Sequence, residues 1–123
     1  MTAERSLVSV IDDDESVRES LPDLLRQFGF AARAFSSAEA FLESPSVGST
    51  RCLVLDVAMP GMSGLDLQHE LARRQWDIPI VFITATGDPT ILPRVLALGA
   101  VACLSKPFTD TALLNALNAA LRG

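Results

Sequence analysis

The sequence predicts a doubly wound α/β domain, a five-stranded parallel sheet with five helices. Three observations predict it. Short aliphatic runs recur five times, a segment of helical periodicity follows each, and two of the runs end in acid: Leu7-Val8-Ser9-Val10-Ile11 leads into Asp12-Asp13-Asp14-Glu15, and Arg51-Cys52-Leu53-Val54-Leu55 into Asp56. Runs of four or five mostly aliphatic residues suit strands buried on both faces, as in a parallel sheet. Alternation with helices implies right-handed crossovers that cover both faces. All such strands finish at one carboxyl edge, where sheets of this kind form their sites.

The first strand is expected at 6–11 and the first helix at about 16–27. Pro22 falls inside that helix, where proline removes a backbone hydrogen bond and costs roughly 3 kcal/mol relative to alanine, so a kink is expected. Gly29 follows Leu24-Leu25-Arg26-Gln27-Phe28 and suits a left-handed helix stop. After a second strand at 31–35, Ser36-Ser37-Ala38-Glu39 has capping-box spacing, with Ser36 accepting from the Glu39 amide, and opens a helix at 37–43. The breaker-rich stretch from Ser44 to Thr50 predicts a surface loop before the third strand, 51–55. A third helix at 64–75 and a fourth strand at 79–84 follow. Pro93 falls early in the fourth helix, 90–98, so this helix should begin near Leu92 or have a loosened first turn. Gly99 closes it, and a fifth strand at 100–105 and a fifth helix at 109–121 complete the chain. No repeat, linker or low-complexity tract divides the 123 residues, so 1–123 reads as one domain.

Composition narrows the function. Apolar residues make up 49% and charged residues 20%, a globular balance, and the net charge is −5. Ten scattered basic residues on an acidic domain do not make the clustered Lys and Arg that hold phosphodiester backbones, so no direct nucleic-acid contact is expected. No stretch approaches the roughly 20 apolar residues that span a bilayer, and the N-terminus lacks the order of a signal peptide, which makes a cytoplasmic protein the default expectation. Cys52 and Cys103 lie in separate apolar runs and read as reduced thiols. His69, the only histidine, reads as a solvent-side residue of the third helix.

Asp12, Asp13 and Asp56 converge if their strands are neighbours, and Thr84 and Lys106 end two more strands. Two unit charges about 4 Å apart repel by about 4 kcal/mol at an effective dielectric near 20, so three close carboxylates call for a cation. All-oxygen ligation with no Cys or His selects a hard ion, and Mg²⁺ suits an open site shared with a phosphate. Lys106 offers a positive charge and Thr84 a hydroxyl to phosphoryl oxygens, which makes an Asp nucleophile and an aspartyl phosphate plausible chemistry.

These residues carry a resemblance. Val10-Ile11-Asp12-Asp13-Asp14, Leu55-Asp56-Val57-Ala58-Met59-Pro60-Gly61-Met62-Ser63-Gly64, Phe82-Ile83-Thr84-Ala85 and Ser105-Lys106-Pro107-Phe108 resemble the receiver domain of bacterial two-component response regulators, in its FixJ and LuxR-like branch. The resemblance covers nearly the whole chain. It implies a flavodoxin-like sheet of order 2-1-3-4-5, with Asp56 accepting a phosphoryl group from a histidine kinase. Asp13, Asp56 and the Ala58 backbone carbonyl would ligate Mg²⁺, Asp12 would act through water, Thr84 and Lys106 would hold phosphoryl oxygens, and Lys106-Pro107 would be cis. It implies no conventional enzyme, only a domain catalysing its own phosphorylation and slow dephosphorylation, with Ala58 and Thr86 at positions that tune phosphate lifetime. Val17, Ser20 and Leu21 would face the kinase. Similar receivers often precede a DNA-binding domain.

Cys103 departs from the family, which usually has Tyr or Phe three residues before the lysine, a ring that turns inward with the threonine. The expected switch is therefore Thr84 with Cys103, read out on the fourth helix, fifth strand and fifth helix. Ile91, Leu92, Val95 and Leu98 exceed one buried face, so Leu92 or Val95 is expected to be exposed and the fourth-helix and fifth-strand face to serve a possible homodimer. Two enzyme or cofactor classes fit less well: a haloacid-dehalogenase-like phosphatase needs an Asp where Ala58 stands, and a flavin module needs a hydroxyl- and glycine-rich loop where this chain is acidic. A degenerate receiver acting as a phosphate-independent binding module remains the alternative.

Overall fold

A computed structural model describes residues 5–85 and 90–122. In chain order its elements are β1 (Leu7–Ile11), α1 (Glu15–Gln27), β2 (Ala31–Phe35), α2 (Ala38–Glu43), a 3-10 helix (Pro45–Ser49), β3 (Thr50–Asp56), α3 (Gly64–Arg73), β4 (Ile80–Thr84), α4 (Ile91–Ala97), β5 (Ala102–Ser105) and α5 (Asp110–Arg122). All strand pairs are parallel and the order is β2-β1-β3-β4-β5. Thus β1 and β3, which carry the acids, are neighbours, with Ile11 opposite Leu55.

The sheet sorts its aliphatic residues by parity, because successive side chains point to opposite faces. Val8, Val10, Cys52, Val54, Val81 and Ile83 pack on one side with Leu21 and Leu25 of α1 and Leu113 and Leu117 of α5. Ile11, Leu53, Leu55 and Phe82 pack on the other with Phe41 of α2, Leu67 and Leu71 of α3 and Val95 of α4. Ser9 is the polar exception within β1 and is buried. It is satisfied by a chain in which Thr50 Oγ1 donates to the Ser46 carbonyl at 2.7 Å and lies 2.7 Å from Ser9 Oγ.

Local chemistry explains where the expected boundaries moved. The α2 cap is Ser37, whose side chain accepts from the Ala40 amide, one residue later than the expected Ser36 cap. The full capping box lies instead at Ser63 and Asp66, at the start of α3. The expected loop at 44–50 is a 3-10 turn that buries Ser46 and leads into Thr50, the buried first residue of β3. Helix α1 runs unbroken through a buried Pro22. Pro93 is the third residue of α4, within the first turn, where no intrahelical donor is required of it. Gly29 and Gly99 have φ of +96° and +99°, as a left-handed stop requires. β5 is two residues shorter than expected because the Ala100 amide turns back to the Val95 carbonyl and closes α4.

Leu21 is buried in the core, which removes it from the expected kinase-facing set. Ser20 is exposed and Val17 half-buried. Of the two residues weighed for exposure on α4, Leu92 is open (46%) and Val95 fully buried, and Leu96 and Leu98 are open as well. His69 is exposed, as expected. Trp76, the single tryptophan, follows the C-terminus of α3 at the amino end of the sheet and carries the Arg74 guanidinium 5.0 Å from its ring centroid. No helix among the described residues is long and apolar enough to cross a membrane.

Candidate functional site

Asp56 is the last residue of β3 and Asp12 the first after β1, so the sheet delivers both carboxylates to its carboxyl edge. One carboxylate oxygen from each of Asp12, Asp13 and Asp56 lies within 4.8 Å of the others. Asp12 is fully buried, Asp56 nearly so, and Asp13 is exposed, which leaves the group open to solvent on one side. Three hard oxygen donors with one open side are what a Mg²⁺ that keeps several waters requires, and the cluster contains no Cys or His that would favour zinc.

Lys106 follows β5 directly, and its Nζ donates to Asp12 Oδ2 at 2.8 Å. Its backbone is fixed twice: its amide donates to the Thr84 carbonyl at 2.8 Å, and its bond to Pro107 is cis, as the resemblance implied. Thr84 ends β4, buried, opposite Ser105. The second Asp12 oxygen accepts from the Asp14 amide at 2.9 Å, and Asp14 in turn caps α1 through the Ser16 amide. The Ala58 amide donates to Asp56 Oδ1 at 3.4 Å, while Ala58 itself is exposed.

The charges are not balanced. Burial first, and the neighbouring Asp12 charge second, push the Asp56 carboxyl from its ordinary 3.8 up to about 7, against the lowering influence of Lys106. Desolvation works against the Lys106 charge, but the hydrogen bond and charge of Asp12 outweigh it and hold the ammonium above its ordinary value. A single lysine does not neutralise three acids.

Three residues hold the site in roles that the sequence motifs do not assign. Arg18 of α1 donates from Nη1 to the Asp12 carbonyl at 3.0 Å, holding the β1-α1 turn. Gly64 begins α3 against the phosphoacceptor candidate's backbone: a Cβ there would lie 2.2 Å from the Asp56 carbonyl oxygen and 3.1 Å from the Phe82 ring. Glu39 of α2 accepts from the Met62 amide at 3.4 Å and steadies the β3-α3 loop. A glycine directly after a serine cap, eight residues beyond a strand-end acid, was the one sequence signal available for Gly64. Thr86, weighed for phosphate lifetime, lies outside the described residues.

Residues 8–118 match the family model of the response regulator receiver domain. The chain belongs to that family. Nodulation protein W of Bradyrhizobium diazoefficiens is 50% identical over 116 residues, covering 94% of this chain and 51% of that protein. TodT, a response regulator protein of Pseudomonas putida, is 41% identical over 122 residues, 99% of this chain and 54% of its own. Among solved structures, the response regulator StyR has a TM-score of 0.88 at 47% identity, over 96% of this chain and 60% of that one. The FixJ-N crystal structure has 0.86 at 37%, over 98% and 96%. The receiver chain spans about half the length of the curated relatives it matches. It is a phosphoacceptor signalling module of two-component response regulators, and its sheet order is the one the resemblance implied.

Proposed function

We propose that Asp56 is the phosphoacceptor, that Asp12, Asp13, Asp56 and the Ala58 backbone carbonyl make up the Mg²⁺ site, and that Thr84 and Lys106 hold the phosphoryl oxygens. The convergence of the three carboxylates beside Lys106 at the carboxyl edge carries this reading. Bound Mg²⁺ supplies positive charge to both the carboxylates and the phosphoryl oxygens. The chain's own residues do the rest. Asp56 must be ionised to attack, and Lys106 favours that state. An Asp56 oxygen attacks the phosphorus of a kinase phosphohistidine, an acyl phosphate bond forms, and the P–N bond breaks with its electron pair returning to the imidazole. Lys106 then has a phosphoryl oxygen as a competing partner to Asp12, and the Thr84 hydroxyl can donate to another. Exposed Ala58 leaves a path for water, which supports slow self-dephosphorylation.

On this reading residues 1–123 form one receiver domain, with a sensor histidine kinase upstream, in the cytoplasm. In a longer parent chain it would control a DNA-binding output domain and touch no nucleic acid itself. Leu92, Leu96 and Leu98 support a phosphorylation-dependent homodimer through the α4-β5 face, which unchanged sedimentation on phosphorylation would exclude. The central test is intact-mass analysis after acetyl phosphate, with and without Mg²⁺, on the protein and on Asp56→Asn. One Mg²⁺-dependent adduct, absent from Asp56→Asn, is expected. A folded protein with no adduct would instead favour a phosphate-independent binding module.

A further inference from the structure

Gln68 lies on α3 one turn after Gly64, and positions i and i+4 share a helix face. It is buried, and its Nε2 donates to the carbonyls of Leu98 at 3.2 Å and Val95 at 3.4 Å, at the C-terminus of α4. That terminus is also closed by backbone: the Ala100 amide donates to the Val95 carbonyl at 2.9 Å and the Gly99 amide to the Leu96 carbonyl at 3.0 Å. A side chain of α3 therefore caps α4. At its other end, α3 begins with Gly64, which admits the Asp56 carbonyl where any Cβ would collide with it. One helix thus seats against the phosphoacceptor backbone at its first residue and holds α4 at its fifth.

The glutamine is only half used. Its Oε1 is buried with no partner among the described residues. An unmet buried acceptor opposes folding, and an apolar side chain of similar length would fill the same space without one. Packing alone does not account for an amide here, whereas the two bonds to α4 do. Resting on the reading of Asp56 as phosphoacceptor, we propose that Gln68 is a positioning residue that couples the state of Asp56 to α4, with α3 as the rigid link and its two bonds to α4 either kept or released. This route does not pass through residue 103 and needs no ring there.

The test uses ¹⁵N-labelled protein with Mg²⁺ and beryllium fluoride as phosphoryl analogue. It follows the Gln68 side-chain amide and the exchange of the Gly99 and Ala100 amides, in wild type and in Gln68→Leu. Acetyl phosphate labelling of Asp56 is scored separately by mass. In wild type the analogue should shift the Gln68 amide signals and change Ala100 exchange by about tenfold, within the usual range of coupling between sites. Gln68→Leu should still be labelled on Asp56, but its analogue-dependent change at Ala100 should disappear, and its affinity for the analogue should differ from wild type by the factor lost, since coupling is reciprocal. A purely structural glutamine would lower stability in both states and leave the analogue-dependent change intact. That result overturns the proposal, as would Gln68 signals unmoved in a wild-type protein that binds the analogue. Should Gln68→Leu fail to fold, the wild-type measurement decides alone. Absence of any adduct or analogue binding would show that the phosphoacceptor reading has failed, and the proposal with it.

Discussion

Helix α1 is thirteen residues long, is capped by Asp14, has Glu15 in its first turn and Arg26 in its last, and buries Leu21, Pro22 and Leu25. Helix α4 is seven residues long, has no acid in its first turn, buries only Val95, and leaves Leu92, Leu96 and Leu98 open. Both pack on the same sheet. On the α1 side, the Asp14 cap donates its own amide to Asp12 of the carboxylate cluster, so the geometry of the acids is tied to a well-anchored helix. On the α4 side few contacts oppose a change of position, and elements that respond to a signal are drawn from such low-stability regions. On the proposed function, the domain places its chemistry where the chain is held and its readout where it is held less.

The largest effect is expected at the chemistry. Asp56→Asn should remove the phosphoryl adduct altogether while leaving the circular dichroism of the fold unchanged. Next comes the held side: Leu25→Ala, in the α1 core, should cost about 2–5 kcal/mol in denaturant unfolding. Gly64→Ala should cost about 1–3 kcal/mol through overpacking against the Asp56 carbonyl, and should also slow labelling by acetyl phosphate, because the displaced backbone carries the nucleophile.

A further effect concerns pH. Without Mg²⁺ the folded protein holds a proton on Asp56 up to about pH 7 that the unfolded chain releases near its ordinary 3.8. A raised carboxyl pKa means that stability falls as pH rises through that window and is lowest above it. In chelator, the thermal midpoint should decline from pH 5 to pH 8, and Asp56→Asn should flatten the decline. At the bottom of the scale, Leu96→Ala on α4 should change stability by under about 0.5 kcal/mol. A cost like that of Leu25→Ala would mean that α4 is held as firmly as α1.

The central strands β1, β3 and β4 were legible because burial on both faces leaves a nearly uninterrupted aliphatic run. The edge strands β2 and β5, only partly buried, were placed by the alternation; each strand lay within two residues of its expected limits. Their spatial order was not carried by composition or spacing. It came from the resemblance, and with it the adjacency that brings Asp12 to Asp56. Caps were legible in kind and not in position: Ser36 and Ser37 offer the same chemistry, and only the backbone decides which hydroxyl meets an amide. Leu92 and Val95 are both aliphatic and three residues apart, so only packing could say which one faces Phe82 and its neighbours. Arg18 and Gln68 act through backbone carbonyls, the latter's some thirty residues away, and Gly64 through space that a side chain would fill. Apart from the serine-glycine pair at 63 and 64, no local residue pattern encodes such contacts.

Trp76 has an optical consequence. As the single tryptophan, at the amino end of the sheet beyond α3 and beside Arg74, it dominates the emission of a chain that has no tyrosine. Its half-open ring should lose its surroundings when the domain unfolds, so fluorescence will follow denaturation well. The acids lie at the opposite edge, and a titration with Mg²⁺ should pass almost unseen by that light. A change in emission on phosphorylation would therefore report that α3 itself had shifted along its length.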